Sequence, residues 1–203
     1  ALLPTGGGKS ICFQIPAIAM EGICIVVSPL IALMKDQVAN LKRREIQAMC
    51  ITSENSYREV DAMFDRCIFG DIKFLYLSPE RLQSDIAKAR IPQMKVNLIA
   101  VDEAHSISEW GYDFRPPYLK IADIRAFHPK APVIALTASA TPMVVRDIQE
   151  KLQFKKPNII TNSFARENLA YFVEWDENKL AKAERIAKKL KGSGIIYTRS
   201  RKG

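Results

Sequence analysis

No two of the four cysteines (Cys12, Cys24, Cys50 and Cys67) stand in a Cys-x-x-Cys pair, which argues against a zinc site and against a disulfide framework. Three of them lie in apolar segments, so reduced, buried thiols in a cytosolic protein are expected. No apolar run approaches the roughly 20 residues that a membrane-spanning helix needs. Internal repeats and low-complexity segments are also lacking. The first residue is Ala1 and not Met, so a longer parent chain is expected. Acidic residues are the minority among the charges, 22 against 30 Lys and Arg, and the net charge of +8 favours a polyanionic partner such as nucleic acid. Part of that excess is local. Lys179 to Lys191 holds six basic residues against one acid, while Leu180, Ala183, Ile186, Ala187 and Leu190 recur there at helical spacing. The lysines therefore read as the solvated face of a packed helix.

What the chain does contain is a strand–helix alternation. Strands are expected at Ile23–Val27, Met49–Thr52, Lys73–Leu77, Leu98–Val101, Val133–Leu136 and Ile159–Thr161. Helical patterns fall between them at Ser10–Ala19, Ile31–Arg44, Tyr57–Phe69, Leu119–Phe127 and Met143–Leu152. Strands such as "ICIVV" and "LIAV" are apolar without alternation, as expected when both faces of a sheet are covered. The class is α/β, with a parallel, three-layer sheet. Composition changes near Asn162–Trp175, where a new strand-like run begins; the lysine-rich helix and a further apolar run, Ile195–Tyr197, follow. One domain over residues 1–163 and the beginning of a second, incomplete one over 164–203 are expected.

Two stretches carry chemistry. In "LLPTGGGKS" (Leu2–Ser10), Thr5 and three successive glycines, Gly6, Gly7 and Gly8, would bring backbone N–H groups close to phosphate oxygens at a helix N-terminus. Lys9 would reach the β- and γ-phosphates, and Ser10 would offer its hydroxyl to Mg²⁺. The strict phosphate-loop pattern asks for Gly where this chain has Leu3. In "LIAVDEAH" (Leu98–His105), an apolar strand delivers two carboxylates to the edge where open α/β sheets bind ligands. Asp102 suits Mg²⁺ coordination, and Glu103 suits a base that polarises an attacking water. Together the two stretches point to Mg²⁺-dependent hydrolysis of a nucleoside triphosphate.

These residues resemble a family. "DEAH", with "LTASAT" (Leu136–Thr141) downstream, looks like motifs II and III of superfamily 2 helicases, and the match narrows to RecQ-type DNA helicases. "LPTGGGKS" resembles their motif I, in which a large apolar residue commonly fills the first-glycine position, which accounts for Leu3. "VVSPLIALMKDQV" (Val26–Val38) resembles motif Ia and "YLSPERL" (Tyr76–Leu82) motif Ib. "SISEWGYDFRP" (Ser106–Pro116) resembles the aromatic-rich loop that sets RecQ enzymes apart. "SFARENLAYFV" (Ser163–Val173) is similar to the segment leading into the second RecA-like domain, and "GIIYTRSR" (Gly194–Arg201) to motif IV. Departures are modest: Ser139 for a usual Thr, Glu167 for a usual Pro, Tyr112 for a usual His.

The resemblance implies a RecA-like P-loop NTPase domain followed by the start of a second RecA-like domain. It implies an ATP-dependent DNA helicase using ATP and Mg²⁺, moving 3′ to 5′, with single-stranded and fork DNA as partners and a place in DNA repair or recombination. A monomer without membrane attachment is expected, cytoplasmic, and nucleoid-associated or nuclear according to the organism. Lys9, Asp102, Glu103 and His105 would be catalytic, with His105 communicating with Thr137 and Ser139. Trp110, Phe114 and Arg115 would stack on or contact single-stranded DNA and couple it to hydrolysis. Lys35, the backbone at Ser28–Pro29, and Arg81 would contact phosphates. Tyr118 reads as core, and His128 as an exposed helix-end residue without a role. Motifs V and VI, including an arginine finger worth roughly 10³–10⁵ in rate, would lie beyond Gly203. This stretch alone is therefore expected to have little helicase activity and weak turnover. The competing readings are an RNA-directed DEAH helicase and a nucleotide-dependent DNA-binding module without turnover.

Overall fold

The computed structural model describes residues 1–111, 113–163, 165 and 168–198. Five short strands form one parallel sheet: β1 (Ile23–Val27), β2 (Ala48–Ile51), β3 (Phe74–Leu77), β4 (Val96–Val101) and β5 (Val133–Ala135), in the order β2-β3-β1-β4-β5. The side chains alternate between two cores. Ile23, Ile25 and Val27 of β1 face one apolar layer, and Cys24 and Val26 face the other. Both faces are covered, which is why these strands are apolar throughout.

Helices α1 (Lys9–Ala19) and α2 (Ile31–Lys42) contribute Phe13, Ala17, Met34, Val38 and Leu41 to the second layer. On the opposite face lies α3 (Tyr57–Phe69), which buries Val60, Phe64 and Cys67 at helical spacing and opens with a capping box between Ser56 and Glu59. Two short helices, α4 (Pro79–Leu82) and α5 (Asp85–Arg90), follow β3, each N-capped by a serine, Ser78 and Ser84. Those Ser-Pro and Ser-Asp pairs were the available signal for elements the periodicity alone does not predict. The same face is completed by α6 (Ile124–Phe127) and α7 (Pro142–Lys151). Buried Asn97 donates to the carbonyls of Ala17, Met20 and Gly22, each at 3.1 Å, and so pins the end of α1 to the sheet.

Several expectations need correction. The helix expected over Leu119–Phe127 is mostly a 3₁₀ segment, Pro116–Asp123, with only Ile124–Phe127 α-helical. The strand expected at Ile159–Thr161 is reduced to a bridge between Thr161 and Leu2, with Leu2 N–H donating to Ile160 at 2.8 Å. Ile195–Tyr197 forms no strand, because no neighbouring segment among the described residues supplies a ladder, and the run after Asn162 forms none either. Among the thiols only Cys24 and Cys67 are buried; Cys12 and Cys50 are half-buried, and all four are free. His128 is half-buried, its Nε2 lying 2.9 Å from the Ile91 carbonyl.

The chain divides into two compact units, Ala1–Phe164 and Ala165–Gly203. In the second, α8 (Lys179–Lys189) forms as the spacing predicts, but it buries none of its residues. Its apolar stripe finds nothing to pack on within the described part of that unit. Tyr112, Phe164, Arg166, Glu167 and residues 199–203 lie outside the described residues, so the departures at Tyr112 and Glu167 and the end of the motif IV stretch do too.

Candidate nucleotide site and the loop beside it

Every strand of a parallel sheet points its carboxyl end the same way, so the loops after them share one edge. Ala1–Leu3 runs beside β5, with Leu3 N–H donating to Thr137 at 3.1 Å, and carries the chain into the glycine loop at that edge. Gly7 N–H donates to Pro4 at 2.9 Å, and a Cβ at Gly7 would sit 2.8 Å from that same carbonyl. Gly8 takes φ 78°, a left-handed conformation, as the residue preceding α1. No side chain caps α1; Ile11 N–H donates to the Gly8 carbonyl at 3.0 Å, and the positive end of the helix dipole lies at the glycine loop, where it favours an anion. Lys9 and Ser10 occupy that first turn, half-buried.

The acids arrive from β4. Asp102 N–H donates to the Val27 carbonyl at 2.8 Å, which continues the ladder one residue past the strand, and the residue is only 5% exposed. Burial raises its pKa, and the neighbouring Glu103 raises it further; the Glu103 N–H, 3.0 Å from Oδ1, and the charge of Lys9 oppose this. Glu103 sits at φ 46°, left-handed without being glycine. Such a residue costs on the order of 1–3 kcal/mol and persists only where its surroundings impose it. The turn at Glu103 starts the 3₁₀ segment Ala104–Ile107 and brings His105 back over the edge. His105 Nδ1 lies 3.3 Å from Glu103 Oε2 and 2.9 Å from Thr137 Oγ1. The hydrogen bond with His105 lowers the Glu103 pKa, outweighing its partial burial. Thr137 Oγ1 in turn accepts from Ser139 N–H at 3.1 Å. Glu103, His105, Thr137 and Ser139 are thus joined in one continuous run of contacts, and Lys9 acts electrostatically on both acids.

A divalent cation fits this arrangement. Asp102 is a buried carboxylate with a second carboxylate, Glu103, as neighbour. That matches Mg²⁺, which typically takes one or two protein oxygens and completes its shell with phosphates and water.

The loop after His105 is tied down at both ends. Upstream, buried Ser108 donates to Asp147 Oδ2 on α7 at 2.6 Å and accepts from Trp110 N–H at 3.2 Å. Lys151 joins the same point, reaching the Ile107 carbonyl at 3.3 Å and Asp147 at 3.5 Å. Downstream, fully buried Tyr118 donates its hydroxyl to the Asp102 carbonyl at 3.0 Å. Between these points Trp110 is 70% exposed, and Phe114 and Arg115 are half-buried, with Arg115 paired to Asp113 at 3.1 Å. Tyr118 was legible as core, but its bond to Asp102 and the Ser108–Asp147 contact were not. They join residues 16 and 39 positions apart, and nothing local marks them.

The remaining predicted contacts are placed less simply. Lys35 forms an exposed ion pair with Glu54 at 2.6 Å, and Arg81 donates to the Thr52 carbonyl at 2.9 Å. Ser28 is buried at the end of β1, and its hydroxyl has no hydrogen-bond partner.

A parallel α/β sheet with a glycine loop and paired acids at one edge defines a RecA-like fold. The DEAD/DEAH box helicase family matches residues 1–148, and the chain belongs to that family. It is 47% identical over 99% of its length to the ATP-dependent DNA helicase RecQ of Bacillus subtilis, covering 34% of that protein. It is 40% identical over 98% of its length to RecQ of Haemophilus influenzae, covering 32% of it. The RecQ-like DNA helicase BLM of Xenopus laevis is 39% identical over 98% of this chain, which covers 16% of that protein. The chain therefore spans about a third, or less, of the length of these curated relatives. Among solved structures, the helicase domain of Pyrococcus furiosus Hef superposes with a TM-score of 0.59 at 25% identity, over 76% of this chain and 33% of that one.

Proposed function

We propose that the chain is the nucleotide-hydrolysing part of an ATP-dependent DNA helicase of RecQ type. The observation that carries this reading is the convergence of Lys9, Asp102, Glu103 and His105 at the carboxyl edge of the sheet, beside an exposed Trp110 whose loop is bonded back to Asp102. Residues 5–10 hold the triphosphate, with backbone N–H groups, the α1 dipole and Lys9 all favouring negative charge. Ser10 and Asp102 hold Mg²⁺, which supplies charge neutralisation at the phosphates when bound. Glu103, kept ionised by His105, accepts a proton from the attacking water. His105 links that carboxylate to Thr137 and Ser139.

Single-stranded and fork DNA is the track in this reading. Trp110 and Phe114 offer faces for base stacking, worth roughly 1–3 kcal/mol per base, and Arg115 a phosphate contact. Lys35 and Arg81 add sequence-independent phosphate contacts in exchange for Glu54 and part of the Thr52 contact; the exposed Lys35–Glu54 pair is weak enough to yield. Residues 164–203 begin a second RecA-like domain, which would cover the exposed Tyr171, Phe172 and Trp175. The protein works as a monomer in the compartment that holds the DNA.

The test is the ATPase rate of the full-length protein with and without single-stranded DNA, beside Glu103→Gln. Strong stimulation that vanishes in Glu103→Gln is expected. Turnover indifferent to DNA, or raised only by RNA, would overturn the RecQ reading in favour of an RNA-directed enzyme or a binding module.

A further inference from the structure

The exposed span around Trp110 is strung between two buried anchors, Ser108 upstream and Tyr118 downstream, and the downstream one reaches Asp102 of the Asp102–Glu103 pair. Tyr118 is fully buried and gives its hydroxyl to the backbone carbonyl of Asp102 at 3.0 Å. That carbonyl belongs to the peptide unit joining Asp102 to Glu103, the same unit whose orientation sets the φ of 46° at Glu103. A left-handed glutamate has to be held there from outside. On its downstream side the hold is plain: Ala104 N–H donates to Leu136 at 2.9 Å, and His105 meets the Glu103 carboxylate. On the upstream side the Glu103 N–H donates to Asp102 Oδ1, and the carbonyl of the same peptide accepts from Tyr118.

The path back to the loop is short. Tyr118 N–H donates to the Arg115 carbonyl at 2.9 Å, and Arg115 N–H donates to the Ser106 carbonyl at 2.8 Å. A displacement of Arg115 therefore reaches the Tyr118 ring through one tight turn. A phenol is protonated at neutral pH, so the hydroxyl acts as a donor to the Asp102 carbonyl.

We propose that Tyr118 is a positioning residue for hydrolysis: its hydroxyl fixes the Asp102–Glu103 peptide and passes movement of the aromatic loop to the Glu103 carboxylate. The inference deepens the function proposed above and rests on it. It differs from a packing role in one respect, since packing needs the ring and positioning needs the oxygen.

Tyr118→Phe in the full-length protein separates the two. The kcat of ATP hydrolysis at saturating single-stranded DNA is expected to fall roughly three- to tenfold, the scale of one net buried hydrogen bond. The KM for ATP and the DNA concentration for half-maximal stimulation are expected to stay put. Tyr118→Leu, lacking ring and hydroxyl, is expected to lose at least as much kcat and to melt at a lower temperature than Tyr118→Phe. Wild-type kcat in Tyr118→Phe overturns the proposal, whatever Tyr118→Leu does. So does a fall in kcat matched by several-fold weaker DNA affinity, because the hydroxyl would then serve binding. A wild-type protein without DNA stimulation, read in the same assay, instead brings down the functional reading on which the proposal rests.

Discussion

The two units of the chain are built from the same kinds of residues and end in different states. In residues 1–164 the apolar side chains of β1, β3 and β4 are almost wholly shielded, and α3 buries the stripe its spacing predicts. Among the described residues of 165–203 none is buried; Val173 is 99% exposed and Trp175 84%. Yet α8 still forms. Asn178 caps it, accepting from Ala181 N–H at 3.1 Å, and Lys188 and Glu184 pair along it at 2.5 Å. Local signals are enough to write a helix, while a sheet with two faces is needed to bury one. Such surface pairs and caps are worth a few tenths to about 1 kcal/mol each, far less than a core side chain.

The sharpest way to break this contrast is at the site that only the first unit carries. Lys9→Ala and Glu103→Gln are each expected to lower DNA-stimulated ATP hydrolysis by at least about 10²-fold, measured as kcat of the full-length protein. Next in size is the core. Phe64→Ala should destabilise the first unit by roughly 3–5 kcal/mol in denaturant unfolding, because its fully buried ring leaves a cavity. Trp175→Ala, a larger deletion at an exposed position, should stay within about 0.5 kcal/mol.

A smaller effect runs in the opposite direction. Burial raises the Asp102 pKa above its unfolded value, so this group favours folding at low pH and loses that contribution as pH rises through its raised pKa. Asp102→Asn keeps an oxygen for the Glu103 N–H and removes the charge. It should therefore melt higher than the wild type at neutral pH, each 1 kcal/mol gained being worth roughly 2–4 °C, while hydrolysis is lost. The smallest contrast is between the caps. Ser56→Ala should cost about 1 kcal/mol, since the Ser56–Glu59 box starts a helix that the core depends on. Asn178→Ala should leave the main unfolding transition unmoved and reduce only the local helical signal of α8.

How far the site was legible follows the same division. The glycine loop and the strand ending in two acids are contiguous, and a phosphate cradle or a carboxylate at a sheet edge needs only a few adjacent residues to be written. The aromatic loop was legible as a composition, and Tyr118 as core. The pairing of Lys35 with Glu54 and of Arg81 with Thr52 was not legible, since each partner lies on another element. Ile159–Thr161 shows the limit in a strand. Its residues favour β structure, but only Thr161 bridges to Leu2, because a ladder depends on what lies beside it.

The sequence by itself determined the α/β class, the positions of β1 and α3, and the residue types of the candidate nucleotide site. All of these depend on periodicity, capping and motifs within a few turns of chain. The tertiary structure alone decided the strand order β2-β3-β1-β4-β5, the left-handed turn at Glu103 and the bond of Tyr118 to the Asp102 carbonyl. It also decided which apolar stripes were buried. These depend on neighbours brought together across the sheet by packing, and the chain encodes such neighbours only through the fold as a whole.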